Sequence, residues 1–168
     1  MNNDDNWEIP ENPPDDFGFA EAYDDKPSAD ERLLEENTAP SAINCAFVGF
    51  GGGGGKMAKA FLDIGFNKAV LVNTTVKDQP SGVNPENFLL LPGADGVGKD
   101  IKLGKQILDN NSTYVEDALR TRFGKIDWLF VLAGGGGGTG SACFTLHKAM
   151  QRYLTSIDAS GKIIYIAS

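Results

Sequence analysis

The sequence predicts an α/β protein: a Rossmann-like, three-layer fold with a mainly parallel sheet, incomplete at its C-terminus. Three observations predict it. Short apolar runs alternate with helical periodicity through residues 41–168. Three of those runs lead directly into a glycine-rich stretch, at 51–55, 93–98 and 134–140. The first run, its glycines, the next helix and the second run form one compact βαβ unit. Its right-handed crossover requires parallel strands.

Residues 1–40 stand apart. They carry 13 Asp and Glu against Lys26 and Arg32, a net charge of −11, with few aliphatic residues. Such a segment buries too little apolar surface to offset its ordering entropy, so an acidic disordered tail is expected. Trp7, Phe17, Phe19 and Tyr23 punctuate it, and Ser28 with Glu31 opens a short helical pattern reaching Leu34. Residues 41–168 carry 10 acidic and 13 basic residues, a net of +3, so the overall −8 belongs to the tail. The domain boundary is placed at 40/41. The basic residues are scattered, which argues against a nucleic-acid groove. Cys45 and Cys143 give no disulfide framework and fit a reducing cytoplasm. No apolar run reaches membrane-spanning length and no signal pattern opens the chain, so no membrane partner is expected.

The elements follow in order. Residues 43–50 are mostly apolar and uncharged, a buried strand. Gly49, Gly51 and Gly54 then satisfy G-x-G-x-x-G within a loop at 51–55. Residues 56–64 make a helix with Met57, Ala60, Phe61 and Ile64 on one face, and Gly65 ends it. Residues 68–72 are the second strand, followed by Asn73, Thr74 and Thr75. A loop at 76–87 holds Pro80, Gly82 and Pro85. A strand at 88–91 leads into the turn at 92–98. Helices are expected at 99–108 and 113–123, and a strand at 126–132. After the last glycine stretch, a helix from 142 to about 155 places Cys143, Leu146, Met150, Tyr153, Leu154 and Ile157 on one face. A final strand spans 162–167.

Strand, glycine loop, helix is the order that builds an anion site. Glycine lets backbone N–H groups approach a charged ligand, and the helix adds unpaired N–H groups and its positive dipole end. Thr139 and Ser141 add hydroxyls. Three such loops gather at the carboxyl edge of a parallel sheet and suit an extended polyphosphate. Other motifs fit less well. An NAD site needs an acid after the second strand, where Asn73, Thr74 and Thr75 stand. Gly93 to Lys99 nearly matches the P-loop, but Asp100 replaces its Ser or Thr. Ser141 lacks the glycine of a nucleophile elbow at Thr139. Cys143 and His147 have metal-binding spacing without further ligands, and Cys143 lies on an apolar face, so no metal site is expected.

Gly136-Gly137-Gly138-Thr139-Gly140-Ser141 resembles the signature loop of the tubulin/FtsZ superfamily, G-G-G-T-G-[ST]-G, with Ala142 in place of the last glycine. Val48 to Gly55 is similar to the first nucleotide loop of the FtsZ branch, with Lys56 where FtsZ commonly has Asn. Val72-Asn73-Thr74 resembles its Val-Asn-Thr, with Thr75 for the usual Asp. Gly93-Ala94-Asp95-Gly96 resembles the loop that senses the terminal phosphate. The resemblance covers about 41–168 and implies the N-terminal part of a GTP-binding domain of the cytoskeletal, cell-division class, cytoplasmic in location. It implies GTP or GDP as ligand, with Mg2+ carried on the nucleotide. The implied contacts are Gly51, Gly52, Gly53, Gly54, Asn73, Gly93, Ala94, Gly96, Gly136, Gly137, Gly138, Thr139, Gly140 and Ser141. Family members polymerise head to tail and hydrolyse GTP with acids from the next subunit's downstream loop. The implied partners are therefore further copies or an intact FtsZ-like homologue, and no catalytic residue is assigned. A dinucleotide-binding oxidoreductase domain and a non-catalytic cap on a complete homologue are the alternatives. Gly137→Val is expected to block phosphate approach and to resist a left-handed backbone.

Overall fold

The computed structural model describes residues 44–159 and 161–168. The expectations for residues 1–40 lie outside the described residues. Five strands form one sheet in the order β3-β2-β1-β4-β5, with every pairing parallel. They are β1 (Cys45–Phe50), β2 (Ala69–Asn73), β3 (Phe88–Leu90), β4 (Trp128–Ala133) and β5 (Ile163–Ala167). The helices are α1 (Gly51–Asp63), α2 (Ile101–Asn110), α3 (Ser112–Phe123), the four-residue α4 (Gly138–Ser141) and α5 (His147–Ser156).

The central strands β1, β2 and β4 are mostly buried on both faces, as a parallel sheet covered by helices requires. Side chains alternate, so one strand feeds two cores. Ala46, Val48 and Phe50 of β1 join Val70, Val72, Leu129 and Val131 on one face. Ile107, Leu108, Val115, Leu119, Leu146, Met150 and Tyr153 cover them from α2, α3, α5 and the turn before α5. Phe47, Ala69, Leu71 and Leu132 point the other way and meet Ala58, Met57, Phe61 and Leu62 of α1. Phe47 stacks on Phe61 with ring centroids 3.8 Å apart. Tyr153 is fully buried and its hydroxyl donates to Gly124 O at 2.8 Å, which satisfies its polar end. Asn111 donates to Pro92 O and Ile107 O, tying the α2–α3 junction to the turn after β3.

Two expectations change. The glycines at 51–55 are the first turn and a half of α1, not a loop before a helix. Gly54 explains this: a Cβ there would sit 2.2 Å from Leu132 O of β4, so glycine is what lets the helix start against the sheet. The helix expected at 142–155 is a 3-10 turn at Cys143–Leu146 followed by α5, and the short α4 precedes it within the glycine stretch. A Cβ on Gly140 would meet Gly134 O at 2.4 Å. Tertiary contact, rather than side-chain periodicity, sets the backbone there.

The strand order places β1 and β4 side by side, although a helix leaves each of them toward a different face. Such a switch point leaves a crevice beyond the carboxyl ends of the strands.

Candidate functional site

The crevice is a cleft of about 260 Å³. Four strand ends build its walls. Phe50 at the end of β1 is followed by Gly51, Gly52 and Gly53, and Asn73 at the end of β2 by Thr74, Thr75 and Asp78. Gly96, Val97 and Gly98 come after β3, and Gly134 with residues 136–140 after β4.

Hydrogen bonds fix these loops to one another. The Thr74 and Thr139 hydroxyls lie 3.2 Å apart and are buried. Gly96 N donates to Thr74 O at 2.8 Å, and Gly138 N donates to Gly98 O at 2.8 Å. Asn73 is buried, and its Oδ1 accepts from Thr74 N. Gly51 has φ +69°, and a Cβ on it would reach Gly140 N at 3.1 Å, so the first and last loops touch main chain to main chain.

The N-terminus of α1 opens onto the cleft. Phe50 is its N-cap and gives no side-chain cap. The first four N–H groups of a helix have no intrahelical partner, and together they carry partial positive charge. α4 has only four residues, so the helix dipole at this site belongs mainly to α1, not to the segment after β4 as expected.

Of the residues expected at the site, Gly51, Gly52, Gly53, Asn73, Gly96, Gly136, Gly137, Gly138, Thr139 and Gly140 line the cleft. Gly54, Gly93, Ala94 and Ser141 do not. Gly54 is spent on helix–sheet packing. Gly93 has φ +109° and turns the chain beside Ile107, and Ala94 packs against the core. The Ser141 hydroxyl donates to Gly135 O at 2.8 Å, bracing its own loop. Gly137 has φ −118° and ψ 162°, extended backbone rather than left-handed.

Sequence reasoning missed Thr74, Thr75 and Asp78. Among the described residues Asp78 is the one acid lining the cleft. It lies against Gly52, whose Cβ would stand 3.4 Å from the carboxyl. Asp95 and Asp100, which share the glycine turn after β3, do not line the cleft. Asp95 takes hydrogen bonds from Lys77 and from the Thr75 hydroxyl. The Lys77 bond, then the Thr75 bond, holds its carboxyl below the usual carboxylate range, and the Lys77 ammonium is raised in return. Asp100 caps α2, accepting from Lys102 N and Leu103 N. Cys143 is buried in the core, and burial pushes its thiol up to about 11. His147 is 2.8 Å from the Tyr165 hydroxyl through Nδ1. Among the described residues no group of three or more His, Cys, Asp or Glu side chains is arranged to hold a metal. No helix among them is long and apolar enough to cross a membrane.

No family model matches the chain, and no curated protein matches it. Solved structures do. CetZ from Methanosaeta thermophila matches at 26% identity and a TM-score of 0.63, covering 74% of this chain and 36% of its own. Tail-truncated TubZ from Clostridium botulinum phage c-st matches at 25% and 0.62, covering 73% and 40%. The fold is that of the tubulin/FtsZ superfamily. An FtsZ dimer from M. jannaschii shares this tubulin/FtsZ fold at 22% identity and a TM-score of 0.54, covering 83% of this chain and 40% of its own. The chain spans about 36 to 40% of the length of these solved structures. The tubulin/FtsZ resemblance of the glycine loops thus coincides with a tubulin/FtsZ-type arrangement of strands and helices.

Proposed function

We propose that the cleft binds the phosphate chain of a guanine nucleotide, GTP or GDP, with Mg2+ carried on the phosphates. One observation carries this reading. Gly136 and Gly137 line the cleft, and a Cβ on either would meet no protein atom within 4 Å. The extended backbone of Gly137 suits any residue. Neither packing nor conformation calls for glycine at these two positions. A bare main chain there serves a ligand that must come close to its N–H groups.

The charge pattern supports a phosphate chain. Among the described residues no Lys or Arg lines the cleft. Positive potential comes instead from the α1 N-terminus and the glycine N–H groups, a suitable cradle for anions. The Thr74 and Thr139 hydroxyls stand ready as further donors. Asp78 would repel bare phosphates. Mg2+ is commonly held by one or two carboxylates together with phosphate oxygens, and Asp78 is the residue that fits that part. The ion's contribution there is to neutralise phosphate charge.

The guanine preference rests on the tubulin/FtsZ fold rather than on the cleft. So do the kinship with polymerising cytoskeletal GTPases, assembly with further copies or an intact FtsZ-like homologue, a cell-division role and a cytoplasmic location. A dinucleotide reading has less support, because β2 ends at Asn73 and is followed by Thr74 and Thr75, without the ribose-binding acid. The test is titration of the 168-residue chain with a fluorescent GTP analogue in Mg2+. Saturable binding displaced by GTP and GDP but not by NADH is expected. No binding at millimolar nucleotide overturns the proposal.

A further inference from the structure

Lys77 and Asp78 are neighbours in the chain and line one groove, between the loop after β2 and the first two turns of α1. That groove joins the cleft through Gly52, Gly53 and Asp78, which line both. The four ion pairs among the described residues leave out Asp78 and use Lys77 elsewhere. The Lys77 ammonium donates to Asp95 Oδ2 at 2.8 Å. A lysine is a point charge on a flexible four-carbon stem, so proximity alone would set it on Asp78 just as readily.

What decides the partner is how firmly Asp95 is held. The Thr75 hydroxyl donates to Asp95 Oδ1 at 2.9 Å, and Thr75 is buried. Lys77 N donates to the same Thr75 oxygen at 3.2 Å. Gly96 N, one residue on from Asp95, donates to Thr74 O at 2.8 Å. Asp95 is thus oriented before the lysine reaches it, which lowers the entropy cost of pairing. Both side chains of the pair are exposed, so the pair contributes little to stability. Its effect is on where the positive charge stands.

We propose that Asp95 is a positioning residue for the nucleotide's Mg2+: it draws the Lys77 ammonium away from Asp78 and leaves that carboxylate to the ion. This rests on the proposed binding of a Mg2+-nucleotide in the cleft. Mg2+ is held by one or two carboxylates beside the phosphates, and an ammonium paired with Asp78 competes for the same oxygens. Asp95 itself does not line the cleft, so it acts only through Lys77. Lys56 also lines the groove, from α1, and belongs to none of the four ion pairs. Its charge stays the same in every variant of the test.

The measurement is the Mg2+ concentration at half-maximal binding of a fluorescent GTP analogue, with affinity in EDTA beside it. It compares the wild-type 168-residue chain, Asp95→Asn, Lys77→Ala and the double variant. Thermal melting establishes that each folds, and Asp95→Ser replaces Asp95→Asn if that variant does not. In Asp95→Asn the released lysine pairs with Asp78. The Mg2+ midpoint is expected to rise about twofold to fivefold, the range an exposed ion pair gives, while affinity in EDTA improves. A merely damaged cleft would bind more weakly in both buffers. Lys77→Ala alone should move the midpoint far less. The double variant should match Lys77→Ala rather than the product of the two single shifts, because the two residues act as a pair. An unmoved midpoint in folded Asp95→Asn, or single shifts that simply multiply in the double variant, overturns the proposal while the nucleotide reading stands. So does wild-type binding that ignores Mg2+. A wild-type chain that binds no nucleotide overturns both.

Discussion

Replacing Gly137 by valine separates the two things a glycine can do. A Cβ at this position meets no protein atom within 4 Å, and φ −118° with ψ 162° is strand-like backbone that valine prefers. The fold therefore loses nothing. It gains about 0.4–1 kcal/mol, because valine restricts the unfolded chain more than glycine does. In a domain of this size the midpoint of thermal unfolding rises by a few degrees at most. Binding moves the other way. The added side chain projects where phosphate oxygens would approach the loop. Each lost hydrogen bond to a charged group costs about 1.5–3 kcal/mol, roughly tenfold to a hundredfold in affinity. The assay is a pair of measurements on one preparation, thermal melting without nucleotide and titration with a fluorescent GTP analogue. A variant that melts as high as wild type and binds at least tenfold more weakly is expected. Unchanged affinity in a folded Gly137→Val chain would refute the view that this loop holds the ligand.

Gly140→Ala should do the reverse: its Cβ would lie 2.4 Å from Gly134 O, so a clear fall in melting temperature is expected even without nucleotide, by about 1–3 kcal/mol of strain. Asp78→Asn should tighten nucleotide several-fold in EDTA and weaken it in Mg2+, read by the same titration; equal effects in both buffers would detach Asp78 from the ion. The isolated chain should hydrolyse GTP negligibly, since neither Asp95 nor Asp100 lines the cleft and each carboxylate is held by protein donors; phosphate release that disappears in Asp78→Asn with binding retained would place a catalytic acid within the chain. Burial pushes the Tyr153 and Tyr165 hydroxyls up to about 12 and the Cys143 thiol to about 11, from ordinary values of 10.0 and 9.0. The unfolded chain therefore releases these protons first, so stability is full below pH 9 and falls as pH rises toward 12, as denaturant titrations across that range would show.

The sheet was legible because its strands are short apolar runs that need no partner to be recognised, and each lies within about two residues of its expected place. The cleft was legible where glycine marks it. The rest depended on contacts between distant segments. Asp78 sits in a stretch without periodicity, and only the path of the chain after β2 brings it beside Gly52. Gly54 and Ser141 carry the spacing of a phosphate motif, but Leu132 O and Gly135 O already occupy what they offer. The glycines at 51–55 look like a loop because glycine disfavours helix interiors by about 0.5–1 kcal/mol, and only packing against β4 overrides that preference.

The buried Thr74–Thr139 contact and the main-chain contact between Gly51 and Gly140 join loops that leave β1, β2 and β4. The cleft exists only when those strands are already aligned. A ligand that binds there binds the finished sheet and nothing less. At a hundred times its dissociation constant such a ligand adds about 2.7 kcal/mol to global stability. Under the proposed function, nucleotide concentration would thereby set how stable the whole domain is, and hydrogen exchange deep in β1 and β4 should slow with it as surely as exchange in the loops.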